Sequence, residues 1–93
     1  MASSKEYKDF VLEQYNNLSA RAMMGEYVLY YNGKVIGGIY DNRLLVKPTP
    51  SAISFMNEAQ RELPYEGAKE MLLVEDIEDR EFFKKLFEAK YKE

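Results

Sequence analysis

Between Arg21 and Lys47 the chain reads RAMMGEYVLYYNGKVIGGIYDNRLLVK, with apolar side chains recurring at strand spacing and turn residues between the runs. The pattern predicts three antiparallel strands joined by two tight turns. Asn32-Gly33 marks the first turn, because a type I′ turn needs positive φ at both central residues. Asp41-Asn42 marks the second, at a higher conformational cost than glycine carries. Two-residue turns at both places pair Tyr31 with Lys34, Leu29 with Ile36 and Tyr27 with Gly38. They also pair Tyr40 with Arg43, Gly38 with Leu45 and Ile36 with Lys47.

Opposed residues share a face and successive residues alternate. One predicted face is therefore Val28, Tyr30, Val35, Gly37, Ile39, Leu44 and Val46, apolar throughout and expected to be the core. The other is Tyr27, Leu29, Tyr31, Lys34, Ile36, Gly38, Tyr40, Arg43, Leu45 and Lys47. A solvated face would carry Thr, Lys, Glu and Ser, whereas this one mixes tyrosines, aliphatics and cations. Gly37-Gly38 interrupts the central strand, where glycine marks a bulge or a close approach. Tyr27 packed over Gly38 would account for one of them, and a one-residue bulge would exchange the faces beyond it.

Helical spacing flanks the meander. Ser3 and Glu6 read as a capping box, followed by Tyr7, Phe10, Val11, Gln14 and Leu18, with Leu12 and Tyr15 widening the stripe. Asn16-Asn17 weakens the end of that helix, and Gly25 precedes the first strand. Thr49-Pro50 opens a second helix as N-cap and first helical residue, and Leu63-Pro64 ends it. Met71-Leu72-Leu73-Val74 reads as a strand buried on both faces or nearly so, with a further short strand open around Leu63–Tyr65. A final helix begins near Asp76–Asp79 and carries Phe82, Phe83, Leu86, Phe87 and Tyr91. The fold class is α+β: helix, three-stranded meander, helix, two short strands, helix, in a single domain spanning 1–93.

Composition narrows the chemistry. The chain has 93 residues, 46% of them hydrophobic and 31% charged, with a net charge of −3, values that suit one small globular domain. It has no cysteine and no histidine, which removes the thiolate nucleophile, the commonest metal ligand and the usual general base. MASSKEYKDF has no apolar leader region and no run approaches a membrane span, so a cytoplasmic location without membrane contact is expected.

Glu75, Asp76, Glu78 and Asp79 could offer oxygens to a divalent cation. They equally suit a helix N-terminus, where the macrodipole favours acids. No glycine pattern matches a phosphate-binding loop, and Ser51 and Ser54 have no histidine to activate them. No catalytic residue, cofactor or metal is expected. Arg21, Lys34, Arg43 and Lys47 beside Tyr27, Tyr31 and Tyr40 form the candidate interaction surface. Aromatics among cations can bind single-stranded nucleic acid or a protein partner, or be covered by the chain's own helices; the acidic balance weighs against nucleic acid.

Arg21-Ala22-Met23-Met24-Gly25-Glu26-Tyr27 resembles the R-x-M-[FM]-G-x-Y segment of the TfoX/Sxy family N-terminal domain. The likeness continues through Tyr31-Asn32-Gly33-Lys34, Gly38 to Leu44 and Val46-Lys47, then Leu63-Pro64-Tyr65, Met71–Val74 and the closing helix. The resemblance implies a fold like that of type III secretion chaperones, including the short strand left open around Leu63–Tyr65. It also implies a non-enzymatic regulatory role. Longer family members carry a C-terminal helical domain and act with a cyclic-AMP receptor protein at competence promoters. A chain closing at Glu93 is expected to be the N-terminal domain alone. Its expected partners are a protein of the transcription machinery or a regulator, or a second copy of itself. A small-ligand or metal-binding role is the remaining alternative.

Overall fold

A computed structural model describes residues 3–93. Its elements are α1 (Lys5–Glu13), β1 (Leu18–Met23), β2 (Glu26–Tyr31), β3 (Lys34–Ile39), β4 (Leu44–Val46), α2 (Pro50–Phe55), β5 (Arg61–Glu62), β6 (Met71–Val74) and α3 (Arg80–Lys92). The six strands form one antiparallel sheet in the order β1-β2-β3-β4-β6-β5. The α+β class and the order of elements agree with the sequence reading, with one strand added. The meander has four strands, because Leu18–Met23, of which Leu18 was expected in the first helix, forms a strand paired with β2.

The three loops that join β1 to β4 each have two residues at positive φ: Met24 and Gly25 (52° and 88°), Asn32 and Gly33 (50° and 82°), and Asp41 and Asn42 (53° and 54°). The last is closed by the reciprocal backbone bonds of Tyr40 and Arg43, 2.9 and 3.0 Å. Their twist matches that of the flanking strands, which is why this loop type recurs.

The predicted register holds next to Asn32-Gly33, where Tyr31 faces Lys34 and Tyr30 faces Val35, and then slips by one residue. Beyond it Leu29 faces Gly37, Val28 faces Gly38 and Tyr27 faces Ile39, so Ile36 is the extra residue of a β-bulge. The slip exchanges half of each predicted face. Leu29, Tyr31 and Ile36, placed on the mixed face by the unbulged register, join Ile39, Leu44 and Val46 in the core. Val28, Tyr30 and Val35 move out of the expected core to the opposite face.

The core face receives all three helices, through Val11 of α1, Ala52 of α2 and Phe83, Leu86 and Phe87 of α3. Among the described residues eleven larger side chains, Phe83 and Phe87 included, are essentially fully buried. Each contributes about 1.5–3 kcal/mol of hydrophobic stabilisation, before conformational entropy is set against it.

Three local expectations are corrected. The α1 cap is Ser4, whose hydroxyl accepts from Tyr7 N–H at 3.1 Å. Ser3 is engaged elsewhere: its hydroxyl donates to Glu26 Oε1 at 2.6 Å and accepts from Asn42 N–H at 3.0 Å. The second helix stops at Phe55, well before Leu63-Pro64, because the chain must turn back for Gln60 to accept from Leu73 N–H (2.9 Å) and for β5 to pair with β6. The short strand accordingly lies at Arg61–Glu62. Thr49 does cap α2 by position, but its hydroxyl accepts from Lys90 Nζ at 2.8 Å, and the Glu93 carboxylate takes Ser51 N–H instead, at 3.0 Å.

Candidate interaction surface

The bulge separates the seven candidate residues. Tyr27, Tyr31 and Lys34 belong to the helix-covered side. Tyr31 is buried among Tyr15, Phe87 and Tyr91, with ring centroids 5.8–6.0 Å away. The Tyr15 hydroxyl in that group donates to Glu88 at 2.9 Å, and burial together with this carboxylate pushes its pKa up to about 12. Half-buried Tyr27 carries the Lys8 ammonium 5.4 Å from its ring centroid. Lys34 Nζ donates to the Lys90 carbonyl at 2.8 Å and to the Glu93 carbonyl, closing the C-terminal end of α3 where a cation is favoured.

Lys90 is missing from the sequence-based candidates, yet it is the one buried lysine, at 2% exposure among the described residues. Its ammonium donates to the Lys47 carbonyl and to Thr49 Oγ1, both at 2.8 Å, tying α3 to the β4–α2 junction. Burial, with Lys47 and Lys34 nearby and Glu93 opposing, lowers its pKa to about 8. The only sequence signal was its place in the apolar stripe, three residues after Phe87 and four after Leu86.

Arg21 lies on the opposite, helix-free face, opposed to Val28 of β2. The same face continues through Gly38, Leu45 and Leu73, and, one pleat along, through Tyr30 and Val35. Arg43 braces the margin: its guanidinium reaches the Tyr40 carbonyl, the Glu62 carboxylate (2.5 Å) and the Leu63 carbonyl. Tyr40 lies over Gly38, and a Cβ there would come 2.7 Å from its Cζ. That contact, not Tyr27's ring, explains the glycine; Tyr27 contributes its carbonyl oxygen, 2.8 Å from the same point.

Leu45 and Tyr40 are buried but stand outside the helix-side cluster. The segment after β5 crosses this face and leaves a groove of about 430 Å³, walled by Val28, Val35, Tyr40, Tyr65 and Met71. Lys47, Lys69 and Glu70 also line it. Tyr65 is 59% exposed, with its ring centroid 6.1 Å from that of Tyr40. This apolar groove was not legible as such, because it depends on the bulge and on a loop folded from a distant part of the chain.

The acidic residues before α3 are arranged as caps and turns. Asp79 accepts from Phe82 N–H and Asp76 from Glu78 N–H, at 3.0 and 3.1 Å. Among the described residues no three acidic side chains are grouped so as to hold a metal ion. Nor, among those residues, is any helix long and apolar enough to cross a membrane.

Residues 11–91 match the family described as the TfoX N-terminal domain. The chain is 39% identical over 80 residues to an uncharacterised 12.7 kDa protein encoded in the trpE 5′ region of Spirochaeta aurantia, covering 83% of this chain and 70% of that protein. No solved structure matches. The strands, the bulged sheet and the helix layer described above are therefore those of a member of a recognised family: the chain belongs to the TfoX N-terminal domain family.

Proposed function

We propose that this domain is a non-enzymatic regulatory module that binds a protein partner on the helix-free face of its sheet. The observation that carries the reading is the apolar groove beneath Tyr65. An antiparallel sheet face left to water is ordinarily polar, and an exposed apolar patch on a small domain marks a contact site. Tyrosine supplies large contact area at low entropic cost, which suits the centre of an interface. Lys47 and Lys69, against Glu70 alone, leave the groove lining net positive, which favours a partner segment with an apolar side chain and acidic neighbours. By family resemblance the partner class is a transcription regulator or a component of the transcription machinery, as in competence control.

Direct nucleic-acid binding has less support on this geometry. Of the four candidate cations, Lys34 and Arg43 are engaged within the fold, which leaves Arg21 and Lys47. The test is affinity capture from extracts of the source cells with the wild-type domain, Tyr65→Glu, and Lys84→Glu on the exposed side of α3. A partner retained by wild type and Lys84→Glu but lost from Tyr65→Glu supports the reading. Equal retention by all three contradicts it.

A further inference from the structure

The two edges of the sheet are built differently. β5 has two residues, which blunts its edge, whereas β1 presents six, Leu18–Met23, with nothing hydrogen-bonded along its outer side among the described residues. Exposed edges of that length are usually protected by lysines, proline or a bulge. LSARAM has none of these, and its single charge, Arg21, points onto the helix-free face rather than along the edge.

The phase of the outer edge follows from the inner ladder. Asn32 N–H donates to the Asn17 carbonyl at 3.1 Å, and Met23 and Glu26 flank the two-residue turn. Both place Ser19, Arg21 and Met23 in hydrogen-bonded pairs with β2, so Leu18, Ala20 and Ala22 turn N–H and C=O outward.

We infer that β1 pairs antiparallel with β1 of a second copy of the chain, about a two-fold axis through Ala20. In that register Ala20 opposes Ala20 and Leu18 opposes Ala22, the residues whose backbone groups point outward, and each such pair exchanges both its bonds. Faces are conserved across the axis: Leu18, Ala20 and Ala22 stay on the helix side, Ser19 and Arg21 on the other. Ser19 opposes Arg21, so no arginine meets its own copy. Shifting the axis to Arg21 would set like charges opposite each other, which is unfavourable. The alanines at the seam let the backbones approach without displaced side chains. The two helix-free faces then join into one surface, a symmetric closed arrangement. This pairing is independent of what occupies the groove.

Sedimentation equilibrium and amide exchange test it together. The wild-type chain is expected at twice its monomer mass, with Ala20 and Ala22 amides protected as strongly as that of Arg21. Ala20→Pro removes an outward N–H and leaves the β1–β2 ladder intact, as proline is tolerated on the open side of an edge. Both bonds of the central pair are then lost, and the dimer dissociation constant rises by roughly tenfold or more. Tyr65→Glu leaves the mass unchanged. A monomeric wild-type chain, rapid exchange at Ala20 and Ala22, or a folded Ala20→Pro variant that dimerises as well as wild type overturns the inference. The exchange data on the unaltered chain decide it even where the proline variant does not fold.

Discussion

Gly38→Ala tests how the helix-free face is built. The new Cβ would sit 2.7 Å from Tyr40 Cζ and 2.8 Å from the Tyr27 carbonyl oxygen. The carbonyl belongs to the β2–β3 ladder and yields little, so the ring must swing out. Tyr40 is 8% exposed, and a buried tyrosine hides roughly 150–250 Å². Exposing half of that costs about 2–3 kcal/mol at ~25 cal/mol per Å². Crowding against the carbonyl adds roughly 1 kcal/mol, and the restricted unfolded state of alanine returns about 0.5–1 kcal/mol. The expected loss is about 2–3 kcal/mol, read as a lower urea midpoint at unchanged slope. In a Tyr40→Ala background the ring is absent, and the same substitution costs about 1 kcal/mol or less. With about 1 kcal/mol of crowding against about 0.5–1 kcal/mol returned, the coupling in the cycle is the ring-displacement cost itself, roughly 2–3 kcal/mol. Additivity within about 0.5 kcal/mol would show that Tyr40 does not fill the space above Gly38, and the groove geometry would fall with it.

Other expectations follow from particular contacts. Lys90 has a pKa of about 8 in the fold against an ordinary 10.5, so between those values the unfolded chain holds more protons and stability rises with pH. The gain approaches about 2–3 kcal/mol before tyrosine ionisation, opposed in the fold by the raised Tyr15 pKa, reverses it above pH 10. Denaturant melts of wild type and Lys90→Met across pH 7–10 check this, and a slope that persists in the variant would refute it. Lys34→Met removes a neighbouring cation and moves the Lys90 titration upward, which side-chain NMR reads directly. Glu26→Ala strips the acceptor from Ser3 N–H (2.8 Å), Ser3 Oγ (2.6 Å) and Asp41 N–H (3.0 Å). Thermal unfolding should show a loss of about 1.5–3 kcal/mol. Met24→Asn relieves a 98% exposed methionine held at φ 52° and should stabilise by about 0.5–1 kcal/mol.

The parts of the fold governed by local chemistry could be read from the sequence. Asn32-Gly33 and Asp41-Asn42 fixed two hairpins, Thr49-Pro50 a helix start, and the phenylalanine-rich stripe of α3 its buried side. β1 escaped notice because its inward positions after Leu18 are alanines, whose small side chains leave almost no period-two signal. Leu18 also continued the spacing of α1. The turn at Met24-Gly25 places methionine where Asn or Gly is expected, which hid the hairpin that follows. Gly37-Gly38 announced a bulge but not its position, and one residue was enough to exchange the faces. Tyr31 and Lys34, grouped in the candidate interaction surface, are a core aromatic and a cap on the end of α3, the covered alternative the sequence had left open. Tyr65, read from the sequence only as the end of a short strand and as part of the family likeness, lies at the groove because the loop after β5 folds across the sheet.

Site-specific photocrosslinking in the source cells tests the proposed function most directly. A benzophenone side chain at position 65 should form a crosslink to one discrete protein, suppressed when Lys47 and Lys69 are reversed in charge. The same group at position 84, on the helix side, should form none. Crosslinking to the same protein from position 84 and not from position 65 would place the contact on the helix layer and contradict the account.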